Sequence, residues 1–528
     1  MMVKFTSLEF WGIFTPLLLG ALALCALVLD MFARKKGARQ LGVFTLAGLL
    51  AILFLQVMLH VWHLNAAPAA GIPFLRQYFF DLFSSFFNFI FLIAASAAVV
   101  MSLTHLAQKE DDRGEYYILV VISTMGMCMM AAANDFLIFF VGLETMSIPI
   151  YVLAGSERGN LKSNEASIKY LLLGAFASAI LLYGIAMVYG TTGSINYYDI
   201  HEAIAKLQSP KNQDIVGGGV LFFGVLLILV GLFFKVAAVP FHMWTPDVYE
   251  GAPTPITAFM ATGVKAAAFA ALLRLVTVEW TAFWTSGAFY YLIYALAVLT
   301  MTLGNFVAIA QKNLKRMLAY SSIAHAGYLL VGLTAMIASS QFSHLSDDVQ
   351  SQVAMFTHGF SASSAMLFYL LAYTFMNLGA FGVITVLSRE KGEGDTLDGF
   401  SGLARKRPTL AAVMAICMFS LAGVPPFVGF AAKFYIFQSA VANRLYVLAV
   451  IGVLNSVVSA YYYLRVLVVM YMEDEKVPLR EERPLVSGAA VANVVMAAIV
   501  VVMGLFPGPV LDLISRVFSS QMMDILAK

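Results

Sequence analysis

The sequence predicts an all-α polytopic membrane protein of about fourteen transmembrane helices, with two inverted five-helix repeats and broken helices seventh and twelfth in order. Three observations lead there: the composition, the recurrence of long apolar runs, and a few ionisable residues inside those runs. Of 528 residues, 61% are hydrophobic and 12% are charged, against roughly 45–50% and about 25% in a soluble domain. That excludes a water-soluble enzyme. The 32 basic and 30 acidic residues nearly cancel, so no net field favours nucleic acid or a polyanionic substrate. Cys25, Cys128 and Cys417 lie scattered in apolar runs without metal-ligand or disulfide spacing, and read as packing residues.

A span of hydrocarbon about 30 Å thick needs about 20 apolar residues as a helix. Such stretches lie at 8–29, 41–62, 82–104, 116–133, 135–154, 166–190, 217–240, 255–276, 287–309, 313–337, 363–387, 409–437, 446–470 and 487–507. They far exceed the nine to eleven residues of a barrel strand and lack polar alternation, so they are helices. The first has no positive leader with a small-residue cleavage site and runs into a basic loop, so it is expected to be a retained span. Loops after odd-numbered spans hold about nineteen basic residues, among them Arg34, Lys35, Lys36, Arg158, Lys162, Lys315, Arg316, Lys406 and Lys476. Loops after even-numbered spans, counting helix-end residues, hold about five: Arg76, Lys206, Lys211, Arg274 and Arg444. The odd loops should therefore be cytoplasmic, with both termini on the other side.

Five basic residues fall inside spans: Lys169, Lys235, Lys265, Lys433 and Arg465. Lys169 and Arg465 sit near span ends and can snorkel. Lys235, Lys265 and Lys433 cannot, and each costs about 2.5–3.5 kcal/mol at mid-membrane on insertion scales. Glu144, in GLETMSIPIYVLAG at 142–155, is the acidic residue well inside a span and the expected counter-charge for Lys235. One carboxylate cannot neutralise three ammonium groups, and the surplus favours lysines that exchange protons over a static ion pair.

Lys235 stands five residues before Pro240 in GLFFKVAAVPFHMW, and Lys433 follows Pro425, Pro426 and Gly429 in AGVPPFVGFAAKF. Proline removes an intrahelical hydrogen bond and frees a carbonyl, so both helices should break beside the lysine. Spans 4–8 and 9–13 form two blocks of five, with the broken lysine helix fourth in each. Five is odd, so the second block must cross in the opposite sense. Glu144 in the second span of the first block is answered by Ser321, Ser322 and His325 in NLKRMLAYSSIAHAGY, and His325 could relay protons. Lys265 lies between the broken helices in chain order and can link two half-channels. The stretch before it, with His242, Asp247, Glu250, Pro253 and Pro255, reads as a helix-helix linker. No phosphate loop, dinucleotide fingerprint, cysteine cluster or nucleophile elbow appears, so no redox cofactor is expected on this chain.

Across these motifs, over most of residues 115–470, the sequence resembles the antiporter-like membrane subunits of bacterial proton-pumping NADH:quinone oxidoreductase, respiratory complex I, and among them the subunit N (subunit 2) family. Lys265, where sister subunits L and M typically carry His, and Lys433, where M typically carries Glu, favour that subfamily over the others. The resemblance implies fourteen helices with two inverted five-helix repeats. It assigns proton transfer to Glu144, Lys235, Lys265 and Lys433; Lys169 and His325 are auxiliary relay candidates from the reading of the residues alone. It implies a bacterial inner (plasma) membrane, with subunits M, K and J or their equivalents as partners. NADH, flavin, iron-sulfur clusters and quinone are expected elsewhere in the complex. The expected organisation is a three-helix segment at 1–115, repeats at 116–276 and 277–470, and a last helix with its tail at 471–528. A free-standing or multisubunit cation/proton antiporter module and a purely structural membrane subunit are the alternatives.

Overall fold

The computed structural model describes residues 7–32, 38–65, 77–79, 81–109, 113–207, 215–277, 287–342, 361–387, 395–476 and 488–526. Among them, thirteen helices are long and apolar enough to cross a membrane, and two shorter apolar helices make up a fourteenth crossing. In order they are α1 (Ser7–Phe32), α2 (Ala38–Asn65), α3 (Leu82–Lys109), α4 (Gly114–Ala132), α5 (Phe136–Ala154), α6 (Leu161–Thr192) and α7a (Ile215–Val236) with the short α7b (Thr245–Gly251). Next come α8 (Thr254–Thr277), α9 (Gly287–Ile309), α10 (Leu314–Phe342), α11 (Ala362–Leu387), α12a (Pro408–Ala422) with α12b (Val428–Ala442), α13 (Tyr446–Met472) and α14 (Gly488–Leu505). Two helices had no apolar-run signal: amphipathic Tyr197–Leu207 between α6 and α7a, and Gly508–Leu526 after α14.

The loops sort by parity. His105 at the end of α3 bonds Glu157 between α5 and α6. Asp247 and Glu250 on α7b pair with Lys162 and Lys169 of α6 and with Arg316 of α10. Arg405, Lys406 and Asp398, before and in the α12a approach, pair with Asp474, Glu475 and Lys476 after α13. All these come after odd-numbered helices. At the other end, Asn134 donates its N–H to Gln77 O, Phe136 to Ile195 O, and Arg274 at the end of α8 meets Asp81 at the start of α3. These come after even-numbered helices, so the chain alternates as the loop charges imply. Arg34, Lys35, Lys36, Arg76, Lys211, Arg389, Lys391, Arg480 and Arg483 lie outside the described residues.

Each block opens on a close helix pair. A Cβ on Gly126 of α4 would lie 2.3 Å from Met146 N of α5, and one on Gly304 of α9 would lie 2.6 Å from Ala324 N of α10. Each block also carries its broken helix in fourth place, and the two breaks are made alike. Ala237 takes a left-handed backbone (φ 61°), its N–H reaching Phe234 O and that of Ala238 reaching Phe233 O. Gly423 does the same (φ 88°), with its N–H on Ser420 O and that of Val424 on Phe419 O. Both are Schellman-type ends. The first break therefore starts three residues before Pro240, and the expected linker is in part a helix, α7b.

Cys128 and Cys417 are buried, whereas Cys25 is exposed on α1. Arg274, counted with the even-side charges as a helix-end residue, is in the last turn of α8 and does not face solvent. It is 1% exposed, donates to both oxygens of Asp81 (2.5 and 3.1 Å) and to Ala131 O, and lies between the Phe79 and Phe83 rings, each 4.3 Å away. This pair ties the first three helices to α8. Removing one partner strands a buried charge, which costs about 3–5 kcal/mol. Asp81→Asn should therefore lower the thermal stability of the detergent-solubilised protein sharply, while Asp81→Leu with Arg274→Met should lower it much less. Equal losses would show that the pair contributes no more than its packing.

Candidate proton-transfer axis

Lys235 is on the last turn of α7a, 2% exposed. Its Nζ donates to Ser147 Oγ (2.8 Å) and Tyr151 OH (3.0 Å), both on α5. Three rings surround it, Tyr151 at 5.3 Å, Tyr170 at 5.9 Å and Phe234 at 5.9 Å, and their negative faces favour an ammonium. Trp244, past the break, stacks on Tyr170 at 4.4 Å and donates Nε1–H to Phe234 O, a carbonyl at the break. Thr300 Oγ1 accepts from Val239 N–H.

The expected Glu144–Lys235 ion pair is not formed. Glu144 lies beyond ion-pair distance, with its Oε1 buried and without a hydrogen-bond partner. Ser147 and Tyr151 stand three and seven residues after Glu144, the spacing of one helix face. Hydroxyls one and two turns along therefore solvate the ammonium that the carboxylate was expected to hold. Glu144 lies at the edge of that face, next to Val141 and Ile148, which are 42% and 53% exposed.

Lys265 begins a regular α-helical stretch directly after a π-helical turn, Met260–Val264, within α8. Such a turn inserts a residue and rotates the side chains beyond it to a new face. Lys265 is 2% exposed, and its Nζ donates to Ser322 O and Ser322 Oγ, both at 2.5 Å, beneath the Tyr373 ring at 5.8 Å. Lys433, on α12b and 4% exposed, donates to Ala422 O, which the break in α12 has freed, and to Ser456 Oγ, each at 3.0 Å. Gly429 N–H, on the first turn of α12b, donates to Ser420 Oγ across the same break. Pro425 and Pro426 lie between the two halves.

One helix, α10, approaches both lysines. Ser322 holds Lys265, and the Tyr328 ring lies 5.2 Å from Lys433 Nζ. The step of six residues from Ser322 to Tyr328 spans about 9 Å of helix axis. His325 lies midway, its Nδ1 2.5 Å from Tyr369 OH and its Nε2 3.0 Å from Tyr463 OH. Tyr463 OH also meets Ser321 Oγ at 2.5 Å. Ser321, Ser322 and His325 were legible as a polar cluster. Tyr328, Tyr369, Tyr373 and Tyr463 were missed, because an aromatic in an apolar span ordinarily reads as packing.

Lys169 is elsewhere. It is half-exposed at the odd-loop end and pairs with Glu165 and Asp247, each at 2.6 Å. Asp247 also meets Arg316 at 2.7 Å, and Glu250 meets Lys162 at 2.7 Å and Arg316 at 3.1 Å. The helix α7b lies outside the thirteen long spans. Burial alone would raise both carboxyl groups, but bonds from Lys169 and Arg316 to Asp247, and from Lys162 and Arg316 to Glu250, hold them below the usual carboxylate range. Lys315 and Arg316 sit in the first turn of α10, where cations oppose the helix dipole. Lys315 donates to Glu250 O and Ala252 O, so both cations are occupied by α7b and the turn after it. His242 lies in the bend between α7a and α7b.

The family model described as NADH:quinone oxidoreductase/Mrp antiporter, transmembrane, matches residues 133–346 and 335–459. The chain is 43% identical over 517 residues to NADH-quinone oxidoreductase subunit N of Trichlorobacter lovleyi, covering 96% of each chain. The chain belongs to the NADH-quinone oxidoreductase subunit N family. It is 40% identical to subunit N 2 of Roseiflexus castenholzii over 93% of each chain. A chain of respiratory complex I from Thermus thermophilus, solved with bound aureothin, superposes with a TM-score of 0.73 at 34% identity, covering 94% of this chain and 98% of that one. A chain of the Mrp complex from Dietzia sp. shares the fold, with a TM-score of 0.78 at 20% identity, covering 99% of this chain and 100% of that one.

In this family member the ammonium of Lys235 stays apart from Glu144 because neutral hydroxyls satisfy it. Replacing them, with Ser147→Ala and Tyr151→Phe together, should draw the Lys235 Nζ to the Glu144 carboxylate at about 2.8 Å, the length of a charge-assisted bond. A structure of that variant is the check, and an unmoved ammonium would show that the hydroxyls do not set its position.

Proposed function

We propose that this chain is a proton-translocating, non-redox membrane-arm subunit of an NADH:quinone oxidoreductase, coupling electron transfer elsewhere in the complex to proton movement through Lys235, Lys265 and Lys433. The observation that carries this reading is the face of α10, where hydroxyls and one imidazole lie between Lys265 and Lys433. A structural subunit has no need of two buried lysines flanking a cluster of groups that both donate and accept. Tyrosine and serine hydroxyls accept a proton on oxygen while releasing their own, and the histidine does so across its two nitrogens.

Glu144 acts as a switch in this reading. Brought to Lys235, its charge would replace the neutral partners; withdrawn, it leaves Lys235 on the hydroxyls of Ser147 and Tyr151. Moving one charge against 100 mV requires about 2.3 kcal/mol. Lys169 belongs to the approach from the odd-loop end, and His325 to the axis itself.

The lateral surfaces support assembly with other membrane-arm subunits, M, K and J or their equivalents. Glu144 lies next to the exposed Val141 and Ile148 of α5, where a carboxyl at membrane depth requires cover. Lys433 borders a cleft of about 480 Å³ lined by Gly423, Phe434, Phe437, Val453 and Ser456. The odd loops face the cytoplasm of a bacterial cell and both termini face the periplasm, in keeping with loop charge. The 116–276 and 277–470 blocks are the two repeats, flanked by 1–115 and 471–528. NADH, flavin, iron-sulfur clusters and quinone are bound by other subunits.

Lys265→Ala and Lys235→Ala should each lower NADH-driven proton pumping in membrane vesicles about tenfold or more, as expected for loss of a positioned proton carrier. The assembled complex should persist, because each change removes an insertion cost. Near-normal pumping by an assembled Lys265→Ala variant would exclude the reading.

A further inference from the structure

The Tyr328 hydroxyl is bonded by an amide. Asn305 of α9 donates its Nδ2–H to Tyr328 OH at 2.9 Å, and its Oδ1 accepts from Tyr462 OH of α13 at 3.0 Å. The same Nδ2 meets Asn455 Oδ1, also on α13, at 3.4 Å. All four side chains are buried. Two glycines let α9 and α10 approach closely enough for the Asn305–Tyr328 bond: Gly304, just before Asn305, and Gly327, just before Tyr328. A Cβ on the first would lie 2.6 Å from Ala324 N, and one on the second 2.4 Å from Met301 N.

A backbone carbonyl sets the orientation of both amides. Asn455 Nδ2 donates to Ile451 O at 3.0 Å and to Thr302 Oγ1 at 3.2 Å. A carbonyl only accepts, so the nitrogen of Asn455 must face Ile451 and its oxygen must face Asn305. Asn305 therefore turns its nitrogen toward Asn455 and Tyr328, and its oxygen toward Tyr462. Tyr462 has to donate, and Tyr328 has to accept. Tyr328 is also the tyrosine whose ring lies 5.2 Å from Lys433 Nζ and 5.6 Å from the His325 ring.

Such an amide is a dead end for a proton. Its nitrogen donates without accepting, and its oxygen accepts without a proton of its own to pass on. Tyr462 and Tyr463 are adjacent, with ring centroids 4.3 Å apart. Tyr463 bonds Ser321 and His325, groups that both donate and accept, whereas Tyr462 directs its hydrogen to Asn305. We infer that Asn305 is a positioning residue for Tyr328 and, with Asn455, a proton stop: the amides fix the Tyr328 hydroxyl beside the Lys433 site and close the branch from Tyr328 to Tyr462. The inference rests on Lys433 exchanging protons. Proton traffic is then confined to the cluster around His325, and Tyr462 takes no part in it.

The test uses the whole complex in inverted membrane vesicles, with NADH-driven acidification and the infrared C–O stretch of tyrosine as readouts. The Tyr328 band is identified as the one missing from Tyr328→Phe. Asn305→Asp keeps the shape of the amide and replaces its nitrogen with oxygen, and Asn305→Leu removes both polar atoms. Each should shift the Tyr328 band and lower acidification severalfold in the assembled complex. Tyr462→Phe should leave both readouts near wild type, because Asn455 still orients Asn305. A role for Asn305 in packing alone would lower acidification without moving the band, so an unshifted band in both Asn305 variants overturns the positioning role. Impairment by Tyr462→Phe equal to that of Asn305→Asp overturns the proton stop. Lys433→Ala is measured beside them: its impairment, with wild-type acidification by both Asn305 variants, overturns this inference alone. Wild-type acidification by an assembled Lys433→Ala variant overturns the inference together with the reading beneath it.

Discussion

The constraint on which this structure depends is the solvation of ammonium groups where water is scarce. Lys235, Lys265 and Lys433 are each at most 4% exposed, yet none forms an ion pair among the described residues. Each is held by one or two hydroxyls or freed carbonyls and by aromatic faces. Neutral partners leave the charge removable, whereas a tight carboxylate would fix it. The break in α12 supplies Ala422 O to Lys433, and Tyr373 and Tyr328, both packed on His325, present their rings to Lys265 and Lys433.

The pair Asp81–Arg274 shows the opposite solution. It too is buried, but it is bidentate, flanked by two rings and bonded to Ala131 O. That arrangement joins helices and has no evident route for a proton. The buried charges thus differ within one chain by the identity of the partner: a carboxylate for Arg274, and hydroxyls, carbonyls and rings for the three lysines.

Much of the fold was legible, because a membrane imposes a length and an apolar composition that any window of sequence reveals. The helix breaks were legible through Pro240, Pro425 and Pro426. The start of the first break at Ala237 was not, since an alanine in a left-handed conformation has no sequence signature. Lys235, Lys265 and Lys433 announced themselves as charges in apolar runs. Their partners did not, because Ser147, Ser322 and Ser456 are common helix residues and Tyr151, Tyr328 and Tyr463 look like packing. The Glu144–Lys235 pairing was expected from charge alone, and geometry places two neutral hydroxyls between that expectation and the structure. The ion-pair network of α7b was hidden for a different reason: a Pro-rich segment with two acids resembles a linker until its cations, which come from residues about 70 to 90 positions away, are seen in place.

The central claim is that Lys265 and Lys433 are joined by a continuous chain of proton-exchanging groups along α10. The most direct measurement is a map of the assembled complex at a resolution that shows ordered water. The account predicts hydroxyls, the His325 imidazole and waters with every step between the two Nζ atoms within hydrogen-bond reach, about 3 Å. A dry apolar gap between Ser322 and Tyr328, wider than one water can bridge, would contradict it.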